Sequence, residues 1–487
     1  MSLRVKAVKA VRWTAAKSVG DIGSRFVITL VAAHVLTPSD FGLYALVNLV
    51  LGVANIFAAG GLTQGIVSKQ DVTPDQLSSL FWLNLLSGIL LSLLVGLAAP
   101  LLAEFYQQPK LLGMLLVAAL SLMASPLGQT SQALLQRNLH FASLGLVDLS
   151  VSALNCVCAI GLLYAGVGVY SLIIAQVMAT AVRGVLLRAS CRGLLRVRLR
   201  FDFAEIRPLV NFGMFQTGSG LVNYLSGRLD QFLIGTLLGP QALGYYSLAW
   251  TLIMEPVFRI TPVIISVAFP VFAQRQNDRS ALNRGFLIVT KMVTMTIAPM
   301  VFGFAAIAPG VIPLVLGDKW TPSVQLVELL SIIAIVRVIN APIGPLVLAV
   351  GQANKLFFWT VGYSVVQAPL YAAFIAVGGL IPATVCLCIV RVPATYLAYV
   401  YLVRPILGPV MAEYMSAFLP ATGLAVAMAI AVRSVSMLSL GSSSALLAAQ
   451  LVLGVALYAG MTILFRRSDV SELASLVMPR RSVRPTA

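Results

Sequence analysis

The sequence predicts an all-α polytopic membrane protein with about 14 transmembrane helices. Three observations carry this. Of 487 residues, 59% are apolar and only 10% charged, where soluble domains carry about 25% charged residues. Mean hydropathy is +0.95. The apolar residues gather into stretches of about 20 or more, the length that crosses a bilayer as a helix. A chain this poor in polar residues cannot cover soluble cores. A soluble enzyme is excluded.

On the 20-residue rule the first six spans fall near residues 15–36, 41–67, 78–104, 111–136, 142–165 and 167–188. Six more follow near 207–238, 243–272, 284–316, 323–350, 355–378 and 380–403, and a last pair near 411–433 and 443–465. Pro299, Pro309 and Pro313 interrupt the span at 284–316; it reads as one kinked helix with a re-entrant turn. Ahead of the first span stand Arg4, Lys6, Lys9, Arg12 and Lys17 with Trp13, a pattern that suits a short amphipathic helix on the inner membrane surface. The following apolar stretch ends at Thr37-Pro38-Ser39-Asp40 without a small-residue cleavage site, so no cleavable signal peptide is expected.

The charges set the orientation. Of the 33 Lys and Arg, 23 fall in segments on the side of the N-terminus, 3 in the opposite loops (Lys110, Lys319, Arg433) and 7 inside spans. That asymmetry predicts an inner-membrane protein with both termini cytoplasmic. The net charge of +17 therefore calls for no nucleic-acid partner. Domains are expected at 1–190 (a six-helix lobe with a basic N-terminal segment), 191–206 (a basic cytoplasmic linker) and 207–405 (a second six-helix lobe). Residues 406–466 form two additional spans, and 467–487 a basic cytoplasmic tail.

An internal repeat supports two lobes. Leu36, Pro38, Gly42, Tyr44 and Leu46 recur as Leu238, Pro240, Gly244, Tyr246 and Leu248. Pro126, Gly128, Ala133, Gln136, Asn138 and Phe141 recur as Pro342, Gly344, Ala349, Gln352, Asn354 and Phe357. The copies are six spans apart, so each starts on the same side of the membrane. Two parallel lobes around a central cavity that rocks open to either side are a transporter architecture.

The phrases TPSDFGLYALV, LLQRNLHFASLG, ITPVIISVAFPVFAQRQND and PLVLGDKWTPSVQLVELL with NAPIG resemble the polysaccharide exporters (Wzx-type) of the multidrug/oligosaccharidyl-lipid/polysaccharide flippase superfamily, most like the colanic-acid exporter type. The resemblance covers nearly the whole chain and is weakest in the last two spans and the tail. It implies that undecaprenyl-pyrophosphate-linked oligosaccharide units are turned from the inner to the outer leaflet. It also implies polymerase and export partners of the same pathway, and no enzyme activity of the chain's own.

Ionisable residues in mid-span mark function. The deep cations are Arg25, Arg228, Arg259, Arg337 and Arg391. Guanidinium groups match phosphate oxygens with paired hydrogen bonds, so these five are the expected pyrophosphate ligands. The resemblance implies that spans 1, 2, 7 and 8 face the cavity, favouring Arg25, Arg228 and Arg259. Local neutralisation is the alternative, since Asp21/Arg25 and Glu255/Arg259 are i,i+4 pairs. Arg183 and Lys291 read as snorkelling cations.

Asp21, Asp148, Asp230 and Glu255 are the candidates for coupling to an H⁺ or Na⁺ gradient. Asn48, Asn55, Gln64, Asn211, Gln216 and Asn223 are candidate sugar partners or interhelical bonds. Five cysteines and two histidines (His34, His140) have no zinc spacing, so no metal or other cofactor is expected. The rival readings are a drug or metabolite exporter of the same superfamily, and a membrane glycosyltransferase or polymerase. Against the latter, the outside carboxylates Asp40, Glu104 and Asp318 are scattered one per short loop.

Overall fold

The computed structural model describes residues 3–59, 73–191, 198, 201–274, 278–435 and 443–466. The tail 467–487, Gln64 and half of the linker 191–206 lie outside them. Among the described residues every regular element is helical. The protein is an all-helical, multi-pass membrane protein.

The helices are α1 (Leu3–Val35), α2 (Pro38–Ala59), α3 (Pro74–Phe105), α4 (Pro109–Ala124), α5 (Pro126–Arg137), α6 (Phe141–Tyr164), α7 (Tyr170–Ser190), α8 (Phe203–Leu237) and α9 (Gly239–Gln274). They continue as α10 (Arg279–Val311), α11 (Ser323–Asn340), α12 (Ile343–Ala349), α13 (Ala353–Gly378), α14 (Leu380–Ala398), α15 (Arg404–Leu407), α16 (Met411–Val435) and α17 (Ser443–Phe465).

Proline opens α2, α3, α4 and α5, where its missing N–H costs nothing and its fixed φ suits the first turn. Thr73 closes a capping box on α3: its Oγ1 accepts from the Gln76 amide at 3.2 Å and its own N–H donates to Gln76 Oε1 at 3.2 Å. Thr37 and Asp40 exchange equivalent bonds at the start of α2. Asp40 is thus a capping residue.

Eleven described helices are long and apolar enough to cross a membrane, twelve if the pair α4 and α5, bent by 41°, is one span. The expected count of 14 is not confirmed among the described residues. The two long helices outside that set are α1 and α8, which carry Asp21 with Arg25 and Arg228 with Asp230. Two further expectations are corrected. The basic N-terminal segment is no separate surface helix but the start of α1, which runs unbroken from Leu3 to Val35. The second is the re-entrant turn: α10 runs as one helix through Pro299 and Pro309, as expected, and ends in a wider helical turn over Ile312–Leu316.

Large apolar side chains such as Leu97 and Leu101 on α3, or Val452 and Val455 on α17, are more than two-thirds exposed. In water such a surface would aggregate; in lipid it is the expected exterior.

The chain packs as two compact units, Met1–Leu248 with Thr360–Leu380, and Ala249–Trp359 with Ile381–Ala487. In the first unit α1 lies along α6, and α3 along α4. The end of the linker is pinned onto α3. Trp82 Nε1 donates to the Arg198 carbonyl at 2.9 Å, Ser79 Oγ accepts from the Asp202 amide at 3.0 Å, and Ile206 is buried among Leu77, Leu80 and Leu134. In the second unit the two additional spans, α16 and α17, pack on α10 around Ile307, Met428 and Val432.

The internal repeat is visible within the first unit. A side chain at Gly42 would collide with the Pro240 carbonyl, and one at Gly244 with the Pro38 carbonyl. The two copies therefore touch each other reciprocally, through the same two positions. Glycine is required there for close backbone approach. The second repeat breaks its helix in both copies: α4 gives way to α5 at Pro126, and α11 to α12 at Pro342.

Candidate functional site

In the first unit, Arg25 Nε lies 3.4 Å from Asp21 Oδ1, which also accepts from Ser152 Oγ of α6 at 3.3 Å. One turn away, Asp148 is 8% exposed and holds two cations, Lys17 Nζ at 2.5 Å and Arg183 Nε at 2.9 Å. Arg183 Nη2 donates onward to Gln132 Oε1 at 3.2 Å. Lys17, Asp21 and Arg25 are successive turns of one face of α1, so α1 and α6 are joined by a ladder of charge. Arg183 is not merely a snorkelling cation; half-buried itself, it shares the buried Asp148 carboxylate with Lys17. No spacing rule could have found this network, because its members come from four helices.

Arg228 Nη1 donates to Gln231 Oε1 at 2.9 Å. Asp230 is 4% exposed and accepts from the Tyr246 hydroxyl and from the Gln231 amide. The repeat gives Tyr246 a counterpart in Tyr44, whose hydroxyl donates to Gln176 Oε1 at 3.2 Å. Of the proposed sugar partners, Asn48 and Asn223 donate to carbonyls one turn back in their own helices, at 2.9 and 2.8 Å. Asn55, Asn211 and Gln216 are exposed.

In the second unit, Glu255 and Arg259 are 3.9 Å apart, a long pair for i,i+4 partners. Arg337 of α11 lies with its guanidinium 4.2 Å from the centre of the Phe258 ring, a cation–π contact that leaves the charge in place. Arg391 of α14 has a buried Nε with no hydrogen-bond partner among the described residues. α14 also bonds to α11 through Asn340 Nδ2 and Thr395 Oγ1 at 2.8 Å. Three of the five arginines thus belong to one unit, on α9, α11 and α14, and the remaining two to the other.

Among the described residues no group of three His, Cys, Asp or Glu could hold a metal ion.

A family model described as "Polysaccharide biosynthesis protein" matches residues 31–325. The chain belongs to this family. Among relatives in polysaccharide biosynthesis, it is 32% identical over 328 residues to the teichuronic acid biosynthesis protein TuaB of Bacillus subtilis (strain 168), covering 67% of this chain and 68% of that one. It is 27% identical over 421 residues to the lipopolysaccharide biosynthesis protein WzxC of Escherichia coli (strain K12), covering 86% of each. This agrees with the resemblance drawn from the motifs. Among solved structures, the lipid II flippase MurJ in an inward closed conformation superposes with a TM-score of 0.73, at 14% identity, over 94% of this chain and all of that one. An inward-facing multidrug transporter of the MATE family superposes with a TM-score of 0.66, at 14% identity, over 79% of this chain and 94% of that one. At that identity the likeness concerns the fold. A further relative, the succinoglycan biosynthesis transport protein ExoT of Rhizobium meliloti (strain 1021), is 26% identical over 381 residues, covering 78% of this chain and 77% of that one.

Proposed function

We propose that this chain is a flippase that moves undecaprenyl-pyrophosphate-linked oligosaccharide units across the inner membrane, for assembly of an exopolysaccharide, capsule or O-antigen. Transport proceeds by alternating access, with both termini in the cytoplasm, and the product passes to the polymerase and export machinery of the pathway. The observation that carries the reading is an excess of cationic charge within the spans. Arg25, Arg228, Arg259, Arg337 and Arg391 stand against four carboxylates. Lys17 and Arg183, which hold Asp148, bring these cations to seven against the four carboxylates. Asp21 and Glu255 lie 3.4 and 3.9 Å from Arg25 and Arg259. Excess positive charge in hydrocarbon is costly, and a pyrophosphate would offset it by accepting charge-assisted hydrogen bonds. Ion coupling falls to the four carboxylates, of which Asp148 and Asp230 are buried.

Arginine-to-alanine changes at the five positions test this. Each should abolish glycan export at native protein level, and lysine should restore part of it, since it keeps charge but loses the bidentate fork. Normal export by all five alanine variants would remove the arginines from the path.

A further inference from the structure

The C-terminal end of α10 opens a cavity within the second unit. Pro309 and Pro313 each lack an N–H, and over Ile312–Leu316 the helix loosens into a wider turn. Gly310 adds no side chain there; a Cβ on it would lie 3.1 Å from Leu447 Cδ2 in the first turns of α17. The space left is about 580 Å³, within the ~300–1,000 Å³ of small-ligand sites. Ile307, Leu314 and Leu446 give it apolar walls, and Asp318, Arg433 and Gln450 line it with polar groups. α10 and α16 end at this level and α17 begins there. A bilayer passes from hydrocarbon to headgroups where its spans end.

One lining charge is positive and one negative. Arg433 binds Glu328 through Nη1, and a guanidinium has five N–H donors, more than one carboxylate takes up. Asp318 is exposed; Thr321 binds its backbone carbonyl, while its carboxylate makes no hydrogen bond or ion pair among the described residues. Gln450 is buried and spends its Nε2 on the Val432 carbonyl at 3.0 Å, which leaves its amide oxygen as an acceptor. These groups match a molecule with an apolar body, one anionic group and one cationic group that donates hydrogen bonds. A guanidinium fork suits a phosphodiester. A carboxylate and an amide oxygen suit a primary ammonium, which has three donors and no acceptor. A purely anionic lipid would meet Asp318 with repulsion, and a choline headgroup has no N–H to offer. We propose that this cavity holds the headgroup of phosphatidylethanolamine from the adjoining leaflet, with phosphate at Arg433 and ammonium at Asp318 and Gln450. The pyrophosphate of the transport substrate proposed above has no ammonium to match, so the site serves a resident lipid and does not rest on that function.

The test uses the purified full-length chain in detergent, freed of bound lipid. Phosphatidylethanolamine, phosphatidylcholine and phosphatidylglycerol with the same acyl chains are added in turn. Phosphatidylethanolamine should raise the melting temperature saturably by a few degrees, and the other two by clearly less. Asp318→Asn should erase that preference. Without lipid it should melt close to wild type, because the carboxylate it replaces is exposed. Arg433→Lys keeps a charge for Glu328 but loses the fork, and should weaken the response to all three lipids. Leu446→Trp fills the cavity and should abolish the response. No rise with phosphatidylethanolamine, equal rises with all three lipids, a larger rise with phosphatidylglycerol, or a preference that survives Asp318→Asn or Leu446→Trp would overturn the site. The readout needs no glycan, so a failure of the proposed transport activity would leave the result intact.

Discussion

Charge is held differently in the two units. In the first, Asp148 draws Lys17 and Arg183 onto one carboxylate, Asp21 ties α1 to Ser152 of α6, and Asp230 receives the Tyr246 hydroxyl. In the second, Arg337 rests on an aromatic ring, Arg259 stands 3.9 Å from its carboxylate, and Arg391 keeps a buried nitrogen without an acceptor. Where acids and bases are matched by short bonds, they staple helices. Where cations sit on rings or at long range, the function proposed above assigns them to a ligand. On that reading, ionisable groups within one membrane protein serve stability in one region and recognition in another.

The comparison breaks most visibly at Asp148. Removing this carboxylate leaves Lys17 and Arg183 facing each other inside the first unit. Asp148→Ala should cost on the order of 2–4 kcal/mol, below the fully buried case because both cations keep some solvent access. Thermal or denaturant unfolding in detergent reads this; a variant as stable as wild type would show that the network is not a staple.

Next comes the reciprocal contact of the repeat. Gly42→Leu drives a side chain into the Pro240 backbone, and overpacking of this kind costs about 1–3 kcal/mol. The same change at Gly244 should cost a similar amount, because the contact is symmetric. Once one side has been forced apart, the two changes together should cost less than their sum. Additive losses would mean that the two contacts are independent.

The smallest effect on stability is expected in the second unit. Arg391→Met replaces a half-buried cation lacking a hydrogen bond at its buried Nε with an apolar chain of similar length. Stability should change by less than about 1 kcal/mol, or rise, while glycan export in a complemented strain is lost. A large loss of stability would place Arg391 with the staples of the first unit and erase the distinction.

Hydropathy alone was enough for the fold class, because a bilayer imposes one length and one composition on every span it accepts. The expected count of 14 included spans at α1 and α8, where Asp21, Arg25, Arg228 and Asp230 dilute the apolar signal, and these two helices are not among those long and apolar enough to cross. The repeat was legible as matched Pro and Gly positions, and so were the pairs Asp21/Arg25 and Glu255/Arg259, because a helix brings i and i+4 to one face whatever surrounds it.

What only the tertiary structure decided are the relations between helices. Arg183 lies 35 residues from Asp148, and nothing in either segment names the other. The mutual seating of Gly42 and Gly244, the ring beneath Arg337, and the cavity between α10 and α17 were likewise invisible. The reason is physical. Local sequence sets backbone periodicity and which face is polar, but a partner from another helix is chosen by packing. Packing depends on the whole set of side chains at once.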